Sequence, residues 1–324
     1  MVQIINTGDE GAAISAAVQR LRDGEPVAIP TETVYGLAAD ATNGEAVAKI
    51  FEMKGRPSFN PLICHVDGMT MATELGSCSH LFEQLAHAFW PGPLTLVVPL
   101  AAHSPVHDLV TAGLGSVGLR CPQGISRAII SALGRPLAAP SANRSGRISP
   151  TSAQHVAEEF PDTGLMVVDD GPCPVGLEST ILKIEGQRLV LLRPGTITAD
   201  DIEAVTGIKP ALAEASAGIQ APGMMTSHYA PDARVILDCE KPLPGSAWLD
   251  FGNRDGDNHP GLKMALNLSP SSDLRQAAAN LYSYLKLLDA SGAETICVAP
   301  IPMAGLGVAI NDRLKRAAAP RTAD

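Results

Sequence analysis

What most constrains this chain is a repeated switch of hydrophobic period, from helical spacing in one segment to a short continuous apolar run in the next. Ile14, Val18 and Leu21 recur at helical spacing and lead into Pro26-Val27-Ala28-Ile29, which reads as a buried strand. Ala46, Val47, Ile50 and Phe51 form a second stripe before Leu62-Ile63-Cys64. Leu81, Leu85 and Phe89 precede Leu94-Thr95-Leu96-Val97-Val98, and Ser126 to Leu133 reads as a helix between Val117-Gly118-Leu119 and Leu137-Ala138-Ala139. Helices that alternate with strands bury their apolar faces by layering, so the pattern predicts an α/β domain. Ile181-Leu182-Lys183-Ile184 and Leu189-Val190-Leu191-Leu192 flank the turn Glu185-Gly186-Gln187, a hairpin that makes the sheet mixed rather than purely parallel.

The same period switch returns near the C-terminus. Val235-Ile236-Leu237, Ala247-Trp248-Leu249 and Ile296-Cys297-Val298 read as buried strands, and Leu274, Leu281, Leu285 and Leu288 mark a long helix between the last two. From Ala211 to Gly218 the chain is small and weakly patterned, and it runs on through Pro222-Gly223 to Ala230-Pro231, as a linker does. The organisation expected is a domain over residues 1–207, a linker over 208–231 that covers the site, and a smaller α/β domain over 232–324. A chain of 324 residues has room for both.

Charge and composition remove several classes of function. The net charge of −10 supplies no global cationic field to gather phosphates, which argues against a general nucleic-acid coat protein. No apolar stretch approaches the ~20 residues of a spanning helix, and the N-terminus has neither a basic region nor a long apolar one, so a cytoplasmic protein is expected. Six cysteines stand singly, without C-x-x-C spacing, and read as reduced thiols; no metal-ligand set is expected among them. Gly113-Leu114-Gly115-Ser116-Val117-Gly118 satisfies G-x-G-x-x-G, but the residues after it are strand-like, where a dinucleotide fold needs a helix. There is no P-loop motif, and Gly305-Leu306-Gly307 reads as a tight closing turn.

Polar residues gather instead where predicted strands and helices end. Pro30-Thr31-Glu32-Thr33-Val34-Tyr35-Gly36 leaves a strand with two threonine hydroxyls and a carboxylate, a set that suits either a ligand loop or a capped turn. In Lys54-Gly55-Arg56-Pro57, glycine ends a helix and proline holds Arg56 extended, so two cations sit on a braced loop. They are suited to phosphate oxygens, although one of them would also complement a helix C-terminus. Ala139-Pro140-Ser141-Ala142-Asn143 follows another strand, with Ser141 and Asn143 two apart and on one side. Ser149-Pro150-Thr151 has the form of a helix start capped by Ser149. Glu178-Ser179-Thr180 and Arg193-Pro194-Gly195 lie at the two ends of the hairpin, which should bring Ser179 and Arg193 together. His65 closes the strand nearest the Lys54 loop.

Taken with Trp90-Pro91-Gly92-Pro93-Leu94-Thr95, these segments closely resemble the YrdC-like threonylcarbamoyl-AMP synthase family over the first ~200 residues, a whole domain in length. Pro222-Gly223-Met224 through His228-Tyr229-Ala230-Pro231, then Asn311-Asp312-Arg313-Leu314, resemble the linker and C-terminal domain of the family's long form. The resemblance implies a YrdC-like mixed twisted sheet with flanking helices and a smaller Rossmann-like α/β domain. It also implies synthesis of threonylcarbamoyl-AMP and pyrophosphate from L-threonine, bicarbonate and ATP, with Mg²⁺ accompanying the nucleotide. The product would pass to a tRNA threonylcarbamoyl transferase for modification next to the anticodon; direct contact with tRNA is left open.

By the same resemblance, Thr31, His65, Arg120, Ser141 and Ser179 look like the threonine pocket. Lys54, Arg56, Asn60, Ser116, Asn143, Thr151, Arg193 and Tyr229 look like the ATP groove, with Lys54 and Arg56 as the catalytic charges and His228 beside Tyr229 in the covering linker. One departure is Met225-Thr226-Ser227, where many long-form relatives have basic and aromatic residues. The reaction needs positioning and charge stabilisation rather than a covalent enzyme nucleophile, so neither Cys64 nor Ser141 is given that role. The competing readings are a non-catalytic RNA-binding or ribosome-maturation protein with a local cationic patch, and carbamoyl transfer in hydrogenase maturation, which a similar fold serves.

Overall fold

The computed structural model describes residues 1–213, 218–253 and 261–320; residues 214–217 of the expected linker lie outside that range. The chain begins with β1 (Gln3–Asn6), α1 (Glu10–Arg22), β2 (Val27–Ile29), β3 (Gly36–Asp40), α2 (Gly44–Lys54) and β4 (Ile63–His65). Next come α3 (Met69–Leu75), α4 (His80–Phe89), β5 (Leu94–Pro99), α5 (Asp108–Thr111), β6 (Ser116–Arg120), α6 (Ile125–Leu133) and β7 (Leu137–Ala138). α7 (Ala153–Glu159), β8 (Met166–Asp169), β9 (Thr180–Glu185), β10 (Arg188–Arg193), α8 (Ala199–Thr206) and β11 (Ala211–Leu212) complete the first unit. The second consists of β12 (Arg234–Ile236), β13 (Ala247–Asp250), β14 (Met264–Asn267), α9 (Leu274–Ala290), β15 (Thr295–Val298) and α10 (Leu306–Ala318).

The first eleven strands form one mixed sheet in the order β1-β8-β2-β3-β7-β4-β6-β5-β9-β10-β11. The last four form a separate sheet, β12-β15-β13-β14, in which every pair is parallel. α9 packs on β13 and β14, α10 packs on β12, and the two helices touch, so the second unit is a small parallel α/β layer. None of the described helices is long and apolar enough to cross a membrane.

The central strands of the large sheet have two different faces, because side chains alternate along a strand. Cys64, Leu96, Val98, Val117, Leu119 and Leu182 point into the main helix-covered core. Their neighbours Ile63, Val97 and Ile181 point the other way and pack with Ala221 of the segment between the two units. Register fixes what else stands on that second face: Ile63 pairs with Gly118, His65 with Arg120, and Thr95 with Ile181. No helix among the described residues covers this face at its centre. The 220–223 segment does, together with the second unit, whose core also takes in Val34, Ile148 and Leu177 of the first.

Three sequence expectations change. The helix expected to start at Ser149 is capped by Ser152, which accepts from the His155 amide, while the Ser149 hydroxyl is buried against Glu178. Lys54 is the last residue of α2 rather than a loop residue, with Gly55 in the left-handed conformation (φ 57°) as its C-cap. β11, within the 208–231 stretch, adds a strand beside β10 at the sheet edge. The structure also has β1, β3, β8 and β14, where no strand was expected. β3 is Gly-Leu-Ala-Ala-Asp and buried throughout, so it lacks the alternation that marks a half-exposed strand.

Candidate active site

The polar residues of the second sheet face surround a cavity of about 40 Å³. Its floor is Ile63 and His65 of β4 with Arg120 of β6; Ser141, Ser179 and Arg193 form the walls. Arg56 enters from the loop after α2, and Pro222, Gly223, His228 and Tyr229 close it from above. A smaller cavity continues along the same face past Thr95, Val97, Ser116 and Gly118, and Ile63 and Pro222 belong to both. The site therefore lies on a sheet face between two units, and most of its polar residues stand at strand ends, as expected: His65 closes β4, Arg120 closes β6, Arg193 closes β10 and Ser179 precedes β9.

Two guanidiniums in this cavity have no carboxylate partner among the described residues. Arg56 donates from Nε to the Asn60 carbonyl (3.1 Å) and from Nη2 to that of Pro61 (2.8 Å). Burial, with Arg193 nearby, pulls its pKa down to about 10 despite Tyr229, so it remains a cation at neutral pH. Arg193 donates to the Ser179 carbonyl (3.1 and 2.9 Å), the Ser179 hydroxyl (3.1 Å) and the Pro222 carbonyl (3.3 Å). Contacts to neutral oxygens hold each fork in place and no carboxylate among the described residues bonds either one, although the Glu178 charge acts on Arg193, which leaves both able to bind an anion.

Other charges are already spent. Arg120 meets the Glu32 carboxylate at 2.7 Å, both groups being buried. The Lys54 ammonium is buried beneath the loop after β7, where it bonds the Ser141 carbonyl at 2.6 Å and that of Asn143. Burial, then Arg56, lowers its pKa well below the usual lysine range. In this conformation Lys54 shapes the 141–143 loop.

Four buried polar atoms close to this groove lack a partner: Asn60 Oδ1, His65 Nδ1, Asn143 Oδ1 and His228 Nδ1. Native interiors rarely leave such atoms unpaired, and their concentration here is what a polar ligand would answer. Burial, and then Arg120, pushes the His65 pKa down to about 3, so its imidazole is neutral. Asn60 Nδ2 rests 3.5 Å from Met225 Sδ, and Asn143 Nδ2 donates to the Arg144 and Arg147 carbonyls (2.7 and 2.9 Å).

Of the residues singled out from sequence, Arg56, His65, Arg120, Ser141, Ser179, Arg193 and Tyr229 line the main cavity, and Ser116 lines its extension. Thr31 does not face it: its hydroxyl donates to the Val34 carbonyl (2.7 Å) and accepts from the Thr33 and Val34 amides, and Thr33 is the lining residue. The Thr151 hydroxyl lies 2.9 Å from that of Ser283 in the second unit. Sequence reasoning assigned no role to Glu32, Glu178, Tyr282 or Arg313. The alternation Ser116-Val117-Gly118-Leu119-Arg120, polar or small on one side and apolar on the other, was the available signal that a sheet face was the floor.

A family model described as Telomere recombination, covering Sua5, YciO and YrdC proteins, matches residues 19–195. A second, the C-terminal domain of threonylcarbamoyl-AMP synthase, matches 197–319. The chain belongs to the threonylcarbamoyl-AMP synthase family. Among curated family members, the synthase of Bacillus subtilis is 38% identical over 98% of this chain and 95% of its own. That of Pyrococcus abyssi is 39% identical over 98% of each. The P. abyssi Sua5 crystal structure complexed with L-threonine superposes with a TM-score of 0.88 at 35% identity, covering 98% of this chain and 97% of the other.

Proposed function

We propose that this protein is an L-threonylcarbamoyladenylate synthase, a nucleotidyltransferase that makes threonylcarbamoyl-AMP from L-threonine, bicarbonate and ATP. The observation that carries the reading is the meeting of Arg56 and Arg193, two guanidiniums that no described carboxylate bonds, with Ser141, Ser179 and neutral His65 in one covered cavity. That set suits a small zwitterion held against a polyphosphate.

The chemistry proceeds in two balanced steps. The neutral threonine amine takes the carbon of bicarbonate, forming a carbamate with loss of water. A carbamate oxygen then attacks the α-phosphorus of ATP, making the mixed anhydride and releasing pyrophosphate. No bond to the protein is required, so the site works by alignment and by stabilising charge on the departing phosphates. Ser141, Ser179, His65 and Arg120, with Thr31 bracing the loop before Val34, are the threonine side. Arg56 and Arg193 face the phosphates, Lys54 holds the loop between the two substrates, and Ser116 borders the extension that takes the nucleoside.

Magnesium would come with the nucleotide. Glu178, the carboxylate among the cavity's lining, and Glu32, paired with the lining Arg120, are both engaged by arginine, and the described residues include no cluster of three or more metal-ligating side chains. The donors present fit an ion held mainly by substrate phosphates. Asn143 Oδ1, buried and unpartnered, is the protein oxygen suited to it, and the ion would offset triphosphate charge there.

Purified protein supplied with ¹⁴C-bicarbonate, threonine and ATP is expected to form a labelled, acid-labile adenylate with one pyrophosphate per molecule. Omission of threonine should abolish both. Pyrophosphate release that ignores threonine would overturn the reading.

A further inference from the structure

Immediately before Ser179, the Glu178 carboxylate is buried and every strong contact it makes is accounted for. Oε1 accepts from the Ser149 hydroxyl at 2.5 Å; Oε2 accepts from the Tyr282 hydroxyl and from Arg313 Nε, each at 2.8 Å. Two of these three donors belong to the second domain. Arg313 is one of the largest fully buried side chains in the protein. It also donates from Nη2 to the Pro194 carbonyl (3.0 Å) and pairs through Nη1 with Asp312 (2.7 Å). A single guanidinium thus ties Glu178, two residues before β9, to Pro194, the residue after β10, and Ser179 and Arg193 lie just inside those two anchors.

The attachment is close. A side chain on Gly176 (φ 73°) would come within 2.6 Å of the Ala278 carbonyl of α9, so backbone meets backbone where the domains join. One turn along α10, Arg316 donates to the Met225 carbonyl at 2.6 Å, and its own carbonyl accepts from the His228 amide at 3.2 Å. The same helix therefore holds both the hairpin ends and the covering segment.

A buried carboxylate needs a cation, and losing one member of such a pair leaves the other to find a substitute. Besides Arg313, the guanidinium acting on Glu178 is that of Arg193, which otherwise contacts only neutral oxygens. We propose that Arg313 of the second domain is a positioning residue for the synthase site: by occupying Glu178, it keeps Arg193 free for substrate phosphate and fixes its spacing from Ser179. The first domain's site is then incomplete alone, and the second domain supplies the missing charge. This rests on the reading that ATP phosphates are the anion held by Arg193.

Steady-state pyrophosphate release by full-length variants tests it, with folding checked by melting temperature. R313M is expected to raise the KM for ATP about tenfold or more, the scale of losing a charged hydrogen bond. Adding E178Q to R313M is expected to return that KM to within about threefold of the wild type, since no carboxylate remains to capture Arg193. R313K, keeping the charge but losing the fork, should fall between. A double variant as impaired as R313M, or an R313M with unchanged KM for ATP, overturns the proposal. If R313M does not fold, E178Q alone decides: with no carboxylate to capture Arg193, a KM for ATP no higher than about threefold above the wild type supports the proposal, and a higher one overturns it. Wild-type turnover dependent on threonine and bicarbonate is the control; its absence would defeat the substrate reading, not the role of Arg313.

Discussion

The two sheets of this protein treat their buried polar groups in opposite ways. At the edge of the second sheet, Asn267 Nδ2 donates to Asp250 (3.4 Å) and the Gly252 carbonyl (2.9 Å), while the Ser269 hydroxyl donates to Gln276 (2.6 Å). Every buried side-chain atom left without a partner among the described residues lies in the first unit or the segment after it. Four of them gather around Arg56 and Arg193. A buried unpaired polar atom costs about 1–3 kcal/mol, so the first sheet gives up stability where a ligand is to bind and the second spends nothing of the kind. The difference marks one layer as site and the other as support, although both are built by the same alternation of helix and strand.

The most forceful way to break that contrast is to remove a cation from the first sheet's face. Arg56→Ala should lower threonine-dependent pyrophosphate release by ~10²-fold or more, the scale of losing a preorganised charge contact. Lys54→Ala should do the same by releasing the 141–143 loop. Unchanged turnover in a folded variant would remove these residues from the site.

Acid should act on the first unit and its linker before the second. His65 and His228 are neutral, each with its pKa pushed down to about 3 by burial first. For His65 the Arg120 charge adds to this; for His228 Glu178 opposes it, and Arg56, Lys54 and Arg193 add to it. An unfolded histidine titrates near ~6.5, so on acidification the unfolded chain takes up protons first. Their contribution to stability is full above that value and is lost as the pH falls towards 3. Glu178 adds a lower window. Burial alone would raise its pKa, but Arg313, Arg193 and Ser149 hold it at about 2, so its contribution fades between the unfolded ~4.3 and 2. The described residues of the second domain include no histidine. Urea midpoints from pH 7 to pH 4 should therefore fall in the wild type and fall less steeply in His65→Asn; parallel slopes would contradict this.

The smallest effect is expected from the supporting layer. Asn267→Ala removes hydrogen bonds worth about 1 kcal/mol in all, which should lower the melting temperature by a few degrees and leave turnover within about twofold. A tenfold loss of activity would show that the second sheet has a chemical part of its own.

Much of this was legible beforehand, in particular places. Gly55 ends α2 as its position before Arg56-Pro57 suggested, and the Glu185-Gly186-Gln187 turn joins an antiparallel pair whose ends bring Arg193 to Ser179. The lengths of 3.6-period stripes and apolar runs located most helices and the longer strands. β3 escaped because Gly-Leu-Ala-Ala-Asp is too small and weakly apolar to stand out as a run, whereas β8 lies in Leu165-Met166-Val167-Val168, an apolar run of the same kind as β2 and β4. The assignment of Ser149 as a cap failed because a serine before proline fits equally well as a buried donor, and its partner Glu178 lies 29 residues away.

Local sequence determined which segments are helix, strand or turn and which polar residues stand near their ends, because these depend on periodicity and backbone chemistry within a few residues. Whether a given polar residue faces substrate or protein was settled only by tertiary structure. Thr31 and Lys54 turn to backbone oxygens, Arg120 turns to Glu32, and Arg56 and Arg193 bond no described carboxylate. Those outcomes depend on which charges meet when strands distant in sequence align in one sheet and α10 closes on the hairpin. Pairing of buried charges is a property of contacts, and no spacing along the chain encodes it.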